Sequence, residues 1–286
     1  MEVVNNILDV RTIVKAWKKN GYTVGLVPTM GYLHEGHKSL IEKCNKENDK
    51  TVVSIFVNPI QFGPNEDFQS YPRNLEMDKN LCLEAGTDLI FNPDASELYE
   101  KEANTYVEVL KLTEGLCGEK RPVHFKGVCT VVSKLFNIIT PDKAYFGKKD
   151  AQQLAVIKKM VLDLDFDIQV LGCEIVREKD GLAKSSRNTY LSPSERKAAL
   201  VLSRSLNLAL DSIKAGNRDA ESIKDIIKGE LKSEPLAKID YIEVVNSLSL
   251  QRVDTVETSV LVPIAVFIGK TRLIDNFDYE IKEEAI

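Results

Sequence analysis

The sequence has few of the features that mark membrane, secreted or nucleic-acid-binding proteins. No apolar run in its 286 residues reaches the roughly 20 residues that a membrane span needs, and residues 1–6 lack the basic and apolar regions of a signal peptide. The five cysteines are odd in number and form no Cys-x-x-Cys pair, which disfavours disulfides and zinc. The formal net charge of -5 disfavours nucleic acid as a partner. These absences predict a soluble, reduced, cytoplasmic protein in which an anionic ligand needs a local basic cluster.

What is present is the composition of a folded protein, with 43% hydrophobic and 28% charged residues. The length exceeds one typical core and favours two domains. Strand and helix patterns alternate up to about residue 176, and after it a capping box at Ser192-Pro193-Ser194-Glu195 opens two helical segments. Strands are predicted to follow at residues 239–245 and 260–268. We predict a first domain over residues 1–176 and a smaller α+β domain over residues 177–286.

The first domain is predicted to be an α/β domain. Residues 51–57 form a continuous apolar, β-branched run, typical of a strand buried on both faces. Alternation of strands with helices favours a parallel sheet covered by helices on both faces. Because ligands bind beyond the carboxyl ends of such strands, the loops after Val27, Val57 and Phe146 are the candidate site. The other predicted strands are residues 23–27, 88–91, 143–146 and 167–171.

Two of the three histidines, His34 and His37, lie between a predicted strand and a helix that opens near Gly36. A helix start offers unpaired N–H groups and the positive end of a dipole, and glycine permits close backbone approach. Imidazoles three residues apart can both donate to one phosphate and stabilise charge that develops at phosphorus. Alternatives are a metal pair or two unrelated surface histidines, although the metal-binding pattern His-Glu-x-x-His has a longer spacing. The position between strand and helix favours the phosphate interpretation.

Two further clusters are basic. The lysines of Gly147-Lys148-Lys149-Asp150 can neutralise phosphates, and Asp150 can cap the next helix or bind a ribose hydroxyl; a solvated turn is the alternative. Lys184-Ser185-Ser186-Arg187-Asn188 suits a clamp on a triphosphate, because arginine donates in bidentate fashion and serine as a neutral group. A flexible loop is the alternative there.

The amide-containing loop at residues 58–62 mixes Asn58 and Gln61 with apolar residues. Such a mixture suits a small polar acid with an aliphatic body, or else the amides satisfy the loop backbone. Gln152 and Gln153 open the helix that follows the Gly147–Asp150 cluster, and one of them can face the same cleft as that cluster. Residues 121–125 contain another cation and His124. They can belong to the site, or they can form an ordinary loop that leads into a helix.

Together these segments resemble the pantoate–β-alanine ligase family of the His-x-Gly-His nucleotidyltransferase superfamily. The resemblance runs from residues 27–31 to residues 269–276 and includes both histidines, the amide loop and both basic clusters. It implies that pantoate attacks the α-phosphate of ATP to give pantoyl adenylate and pyrophosphate, after which β-alanine attacks the acyl carbon to give pantothenate and AMP. It also implies a Rossmann-like first domain, a C-terminal lid, a homodimer and a need for Mg²⁺, whose protein ligands stay unassigned.

The resemblance implies a role for each matching position. His37, His34, Lys149 and Arg187 are the implied catalytic residues. Gln61, Gln153 and Asn58 are the implied pantoate-binding residues, and Gln61 also borders β-alanine. The implied ATP-binding residues are Met30, Gly31, Tyr32, Leu33, His34, Glu35, Gly36, His37, Gly147, Lys148, Lys149, Asp150, Val176, Lys184, Ser185, Ser186 and Arg187.

Three positions depart from the commoner family pattern. Lys184 replaces an apolar residue and Lys148 a Glu or Gln, and both add positive charge near the expected triphosphate. Val123 stands where glycine is frequent, so no role is assigned to His124. Two other functions compete with the ligase: a nucleotidyltransferase that acts on a phosphate ester, which the amide pair Gln61 and Gln153 disfavours, and a nucleotide-binding regulator without turnover.

Overall fold

The structure, a computed structural model, describes residues 1–64 and 66–281. The chain divides into two compact units. The first contains Met1–Thr113, Gly118–Lys148 and Gln153–Val176, and the second contains the chain from Arg177 onward together with two short earlier segments, Glu114–Cys117 and Lys149–Gln152. The assignment of nucleotide binding to residues 1–176 and of a lid to residues 177–286 stays a prediction.

The first unit is built on a six-stranded sheet in the order β1-β4-β3-β2-β5-β6, and every pair in it is parallel. This confirms the predicted α/β fold. The strands β2, β3 and β5 are direct neighbours, so their carboxyl ends and the loops that follow lie at one edge of the sheet. The strands are β1 (Glu2–Val4), β2 (Val24–Thr29), β3 (Lys50–Ile55), β4 (Leu89–Phe91), β5 (Lys143–Gly147) and β6 (Gln169–Cys173).

Helices join these strands, and the residues at the helix ends are of the types that cap or terminate helices. Asn6 caps the first helix by accepting a hydrogen bond from Asp9 N, and Gly21 beyond its C-terminal end has a φ of 80°, which glycine adopts without strain. The long amphipathic stripe predicted around Val128 to Ile139 is a helix whose apolar side chains are buried. The helices are α1 (Ile7–Lys19), α2 (Glu35–Glu47), α3 (Leu75–Glu84), α4 (Ala95–Leu98), α5 (Leu116–Lys120), α6 (His124–Ile139) and α7 (Ala151–Asp163).

The second unit is the predicted smaller α+β domain. Its antiparallel sheet has the order β10-β9-β7, and β8 also pairs with β9. The apolar strand β9 is buried along nearly its whole length and packs with the buried faces of two helices. The predicted capping box is present at Ser192 and Glu195. The elements are α8 (Pro193–Ala198), α9 (Leu200–Lys214), α10 (Ala220–Lys232), β7 (Ala237–Ile242), β8 (Val245–Asn246), β9 (Val260–Ile268) and β10 (Thr271–Tyr279).

Some sequence predictions of individual elements were wrong. The interpretation omitted β1 and β10 and placed two helical segments after residue 192 where the structure has three. The strand predicted at residues 239–245 is divided in the structure into β7, which ends at Ile242, and β8, which begins at Val245. Within β7 the register on β9 also shifts between Ile239 and Tyr241. No helix in the described ranges combines the length and apolarity that crossing a bilayer requires.

Candidate active site

The loop after β2 ends in a helix cap made by two histidines. His34 is the N-cap of α2, and His37 is the N3 residue of the same capping box. The backbone N–H of Gly36 donates to His34 Nδ1 over 3.1 Å, and the backbone N–H of His34 donates to His37 Nδ1 over 3.3 Å. The ring centroids lie 4.1 Å apart. The imidazoles take the place that Ser and Glu occupy in ordinary capping boxes, which holds both rings at a helix N-terminus.

This cap determines which nitrogen of each ring is a donor. A backbone N–H can only donate, so each Nδ1 must accept and cannot carry the proton. The neutral rings of His34 and His37 therefore carry their protons on Nε2. Two N–H donors at the positive end of a helix dipole form an arrangement suited to an anion such as phosphate.

A buried carboxylate supports the loop that leads to the histidines. Asp78 on α3 is 1% exposed and accepts hydrogen bonds from the backbone N–H groups of Tyr32 at 2.9 Å and Leu33 at 2.6 Å. Burial raises the pKa of the Asp78 carboxyl, and the two N–H groups oppose that shift. Gly31 has a φ of 79°, and a Cβ there would lie 2.9 Å from Asp78 Oδ2. The close contact explains why glycine stands at this position.

The turn after β3 positions the predicted amide pair. A 3₁₀ turn over Pro59–Gln61 follows Asn58, and both amide side chains are buried. Asn58 Nδ2 donates to Gln61 Oε1 over 3.1 Å, and Gln61 Nε2 donates to the thioether of Met30 over 3.1 Å. The amide loop thus contacts the loop that precedes the histidine cap, as expected for loops at the same sheet edge.

Helix α6 packs against this turn at a glycine. A Cβ on Gly127 would lie 2.5 Å from Gln61 Cα and 2.6 Å from the carbonyl oxygen of Ile60, which is too close for any side chain. His124 is buried in the first turn of α6, and its Nδ1 lies 3.1 Å from the carbonyl oxygen of Gln61. His124 therefore supports the backbone of the amide turn.

The remaining candidates of the first unit follow β5 and β6. Gly147 ends β5, and Lys148 forms an ion pair of 2.5 Å with Glu174. Gln153 lies in the first turn of α7, and Val176 is half-buried at the end of the unit.

The other predicted phosphate residues belong to the second unit. Lys149 and Asp150 lie in a 3₁₀ turn, 3.9 Å apart between Nζ and Oδ2. The Asn276 side chain on β10 donates to the backbone carbonyl of Lys149 over 2.9 Å. Gln152 accepts from Cys117 N and donates to the carbonyl oxygen of Gly115. These bonds fix the lysine turn within the second unit.

The basic loop is also structured by its neighbours in the second unit. Ser185 caps a 3₁₀ helix over Ser186–Tyr190 and accepts from Arg187 N over 3.3 Å. Lys184 is half-buried at the start of this segment. Arg177 makes a bidentate ion pair with Asp275, at 2.7 and 2.9 Å. This buried carboxylate anchors the strand-like segment that leads into the basic loop.

The described ranges contain no group of three or more His, Cys, Asp or Glu side chains placed to hold a metal ion. The described side chains therefore do not form a protein cage for Mg²⁺. Mg²⁺ can instead take phosphate oxygens and water as its ligands.

Sequence reasoning missed the supporting residues. Asp78 has a detectable signal, because it shares a helical face with Leu75 and the buried Cys82, where a carboxylate is out of place. Tyr99, which donates to Asn58, and Asn276, which donates to the Lys149 carbonyl, carry no such signal, since their partners are distant in the sequence.

The parallel α/β sheet, with imidazole donors at a helix start and amides beside them at the same edge, defines an α/β enzyme that handles a phosphate-bearing substrate. The family model described as pantoate-beta-alanine ligase matches residues 2–278. The pantothenate synthetase of Enterococcus faecalis is 63% identical over 99% of this chain and 100% of its own length, and that of Clostridium acetobutylicum is 61% identical over 98% and 100%.

Solved structures agree with these relatives. The pantothenate synthetase of Thermus thermophilus has a TM-score of 0.93 at 42% identity, covering 97% of this chain and 99% of its own. The pantoate-beta-alanine ligase of Francisella tularensis, complexed with β-γ ATP and β-alanine, has a TM-score of 0.79 at 35% identity, covering 97% of both chains. The present chain therefore belongs to the pantoate–β-alanine ligase family.

Proposed function

We propose that this ligase joins pantoate to β-alanine through a pantoyl adenylate. ATP-dependent condensation of these two substrates is the reaction of the family to which the chain belongs. The Francisella tularensis relative was crystallised with β-γ ATP and β-alanine, which supports both as ligands of this chain.

The proposed route has two balanced steps. A carboxylate oxygen of pantoate attacks the α-phosphorus, the bond to the bridging oxygen breaks, and pyrophosphate leaves. The amine of β-alanine then attacks the acyl carbon, AMP leaves with one former carboxylate oxygen, and the amine loses a proton. Adenylation is needed because a free carboxylate is a poor electrophile. Catalysis then depends on positioning and on stabilising the charge that develops on phosphate oxygens.

The histidine cap is the observation that carries this proposal. Because His34 Nδ1 and His37 Nδ1 accept backbone hydrogen bonds, each Nε2–H is a donor that can stabilise a phosphate oxygen without a proton transfer. We assign His37 as the main donor during adenylation and His34 as a phosphate ligand. Residues 30–33, Glu35 and Gly36 surround the same nucleotide in this proposal.

The amide pair supplies the acid-binding side of the site. Buried amides beside an apolar turn suit a carboxylate with hydroxyl groups and a branched aliphatic body. We assign Gln61 and Gln153 to direct contact with pantoate, Asn58 to the same subsite as the residue that holds Gln61, and Gln61 also to β-alanine.

Two cations are assigned to phosphate binding. We assign Lys149 and Arg187 to the triphosphate, since a strongly charged leaving group requires positive charge in a chain whose net charge is -5. The remaining ATP contacts in this proposal come from Gly147, Lys148, Asp150, Val176, Lys184, Ser185 and Ser186.

Mg²⁺, a homodimer and a cytoplasmic location complete the proposal. The cation would neutralise charge on the polyphosphate, and phosphate oxygens and water would form its shell. The lack of a side-chain cluster in the described ranges is compatible with a cation that arrives with ATP.

The direct test is to incubate the protein with ATP, Mg²⁺ and pantoate, withhold β-alanine, and analyse the products by mass spectrometry. We expect pantoyl adenylate and pyrophosphate. A phosphorylated alcohol offered as the alternative acceptor should cause no release of pyrophosphate. Pyrophosphate release with that alcohol and not with pantoate would identify a different nucleotidyltransferase.

A further inference from the structure

A chain of hydrogen bonds runs from the half-buried Tyr99 to the proposed pantoate amide. Tyr99 Oη donates to Asn58 Oδ1 over 2.9 Å. The Asn58 amide then donates to Gln61 Oε1 and to the backbone carbonyl of Gly127, both over 3.1 Å. Asn58 is 1% exposed and Gln61 is 6% exposed. Every polar atom of the Asn58 side chain is therefore engaged within the protein.

The neighbours of Asn58 fix the orientation of its amide. The Gly127 carbonyl can only accept, so the NH₂ group of Asn58 must face it. The oxygen of Asn58 consequently faces Tyr99, whose hydroxyl must donate. A flipped amide would bring two carbonyl oxygens together and leave a buried group unsatisfied, which costs about 1–3 kcal/mol.

The orientation of Asn58 sets that of Gln61. Because Asn58 donates, Gln61 must present its oxygen to Asn58. Its NH₂ group is then directed elsewhere, and the acceptor that the described residues give it is the thioether sulfur of Met30. Sulfur is a weak acceptor, so a carboxylate or hydroxyl oxygen of a substrate forms a better hydrogen bond with this group.

We propose that Tyr99 is a positioning residue for acid binding, which acts through Asn58 so that Gln61 offers a donor and not an acceptor to pantoate. The inference rests on the assignment of Gln61 to pantoate under the proposed function. It extends that assignment by giving the polarity of the contact: the atom of the acid that meets Gln61 is a hydrogen-bond acceptor.

Partial burial of the Tyr99 phenol agrees with its role as a donor. Desolvation raises the pKa of Tyr99, which keeps the hydroxyl protonated and able to donate throughout the range in which the enzyme is assayed. The ring also packs against Phe56, 6.3 Å between centroids, so it has little freedom to leave Asn58.

The test compares Tyr99→Phe with Tyr145→Phe. Tyr145 is fully buried in the same unit, and its hydroxyl donates to Glu47 over 2.9 Å and accepts from Asn48 over 2.8 Å. Tyr145→Phe therefore loses two hydrogen bonds of a tyrosine hydroxyl, whereas Tyr99→Phe loses one. We expect Tyr99→Phe to raise the KM for pantoate roughly five- to tenfold while the KM for ATP stays unchanged. Tyr145→Phe should lower thermal stability and leave both KM values unchanged. An unchanged pantoate KM in folded Tyr99→Phe, or an equal rise in both variants, would overturn the proposal.

A double-mutant cycle separates this inference from the function on which it rests. In a Gln61→Ala background, Tyr99→Phe should have no further effect on the pantoate KM, because the amide through which it acts is gone. Full additivity of the two changes would overturn the proposal that Tyr99 acts through Asn58 on Gln61. If Gln61→Ala alone leaves pantoate binding unchanged, the assignment of Gln61 itself fails. Gln61→Glu, which presents acceptors in place of the donor, should raise the pantoate KM more than Gln61→Ala does.

Discussion

The side-chain amide of Asn276 donates a hydrogen bond to the backbone carbonyl of Lys149 over 2.9 Å, although 127 positions separate the two residues. Asn276 is 3% exposed and lies on β10, a strand fixed by its full pairing with β9. The bond holds the turn that carries a proposed phosphate-binding ammonium. The pairing of β10 with β9 thus fixes the backbone position from which the Lys149 side chain extends.

Replacing Asn276 with Asp should slow adenylation without unfolding the protein. The carboxylate keeps the shape of the amide but repels the Lys149 carbonyl, so the lysine turn shifts. Since a misplacement of about 1 Å can cost about a hundredfold, we expect roughly ten- to hundredfold lower kcat. The measurement is steady-state pyrophosphate release together with thermal unfolding. Thr271→Val on the same strand is the control, and equal losses in both variants would point to general damage to β10.

Two replacements of His37 distinguish its role as a cap acceptor through Nδ1 from its proposed role as a hydrogen-bond donor through Nε2. Asn offers an oxygen near the position of Nδ1 and keeps the cap acceptor but has no group at Nε2, whereas the longer Gln places an N–H closer to that position. We expect His37→Asn to keep the unfolding temperature and to lose about 10²- to 10³-fold in adenylate formation, with His37→Gln retaining more activity. Equal activity of His37→Asn and the wild-type protein would remove the Nε2–H from the mechanism.

Gly127→Ala should damage the amide turn selectively. Its new methyl group would lie 2.5 Å from Gln61 Cα, so either the helix or the turn must move. Overpacking of this kind costs typically about 1–3 kcal/mol, and pantoate binding should weaken as Gln61 shifts. Urea denaturation and the pantoate KM provide the measurements.

The matched control for that change is Gly229→Ala on α10, where a Cβ meets nothing within 4 Å. Alanine in an exposed helix interior should stabilise by about 0.5–1 kcal/mol and leave the pantoate KM unchanged. Loss of stability in both variants would show that the contact with Gln61 is not the cause.

Three thiols should be inert in the native protein. Burial raises the pKa of Cys44, Cys82 and Cys129 from 9.0 to about 12. Below pH 9.0 each thiol is protonated in both the folded and the unfolded chain; between 9.0 and 12 the unfolded chain ionises first, so stability falls as pH rises. Alkylation with iodoacetamide at about pH 8, mapped by mass spectrometry, should label these residues only after denaturation. Native labelling at the denatured rate would contradict their burial.

The parallel sheet could be predicted because its strands are long apolar runs separated by amphipathic helices. The run at residues 51–57 contains all of β3 except its first residue, Lys50, and the stripe from Val128 to Ile139 lies within α6. By contrast, β1 has three residues and no periodicity to detect. Strand β10 was missed because polar Arg272, Asp275 and Asn276 interrupt its apolar pattern; Asp275 and Asn276 are buried because they bond to other elements.

The candidate site could be predicted as a set of residue types but not as a network. The strand–loop–helix order placed His34 and His37 at a helix start, and the structure adds that each ring caps α2 through Nδ1. The roles of Asp78, Tyr99 and Gly127 depend on contacts between segments far apart in the sequence. Such contacts leave no local pattern, and they became visible only with the folded backbone.

Formation of the adenylate requires that a carboxylate oxygen of pantoate attacks the α-phosphorus of ATP. The measurement is to supply pantoate labelled with ¹⁸O in its carboxylate, together with ATP and β-alanine, and to weigh the AMP by mass spectrometry. We predict one ¹⁸O atom in each AMP and none in pyrophosphate, because the attacking oxygen leaves with the nucleotide. Unlabelled AMP, or label found in inorganic phosphate alongside ADP, would contradict the adenylate route.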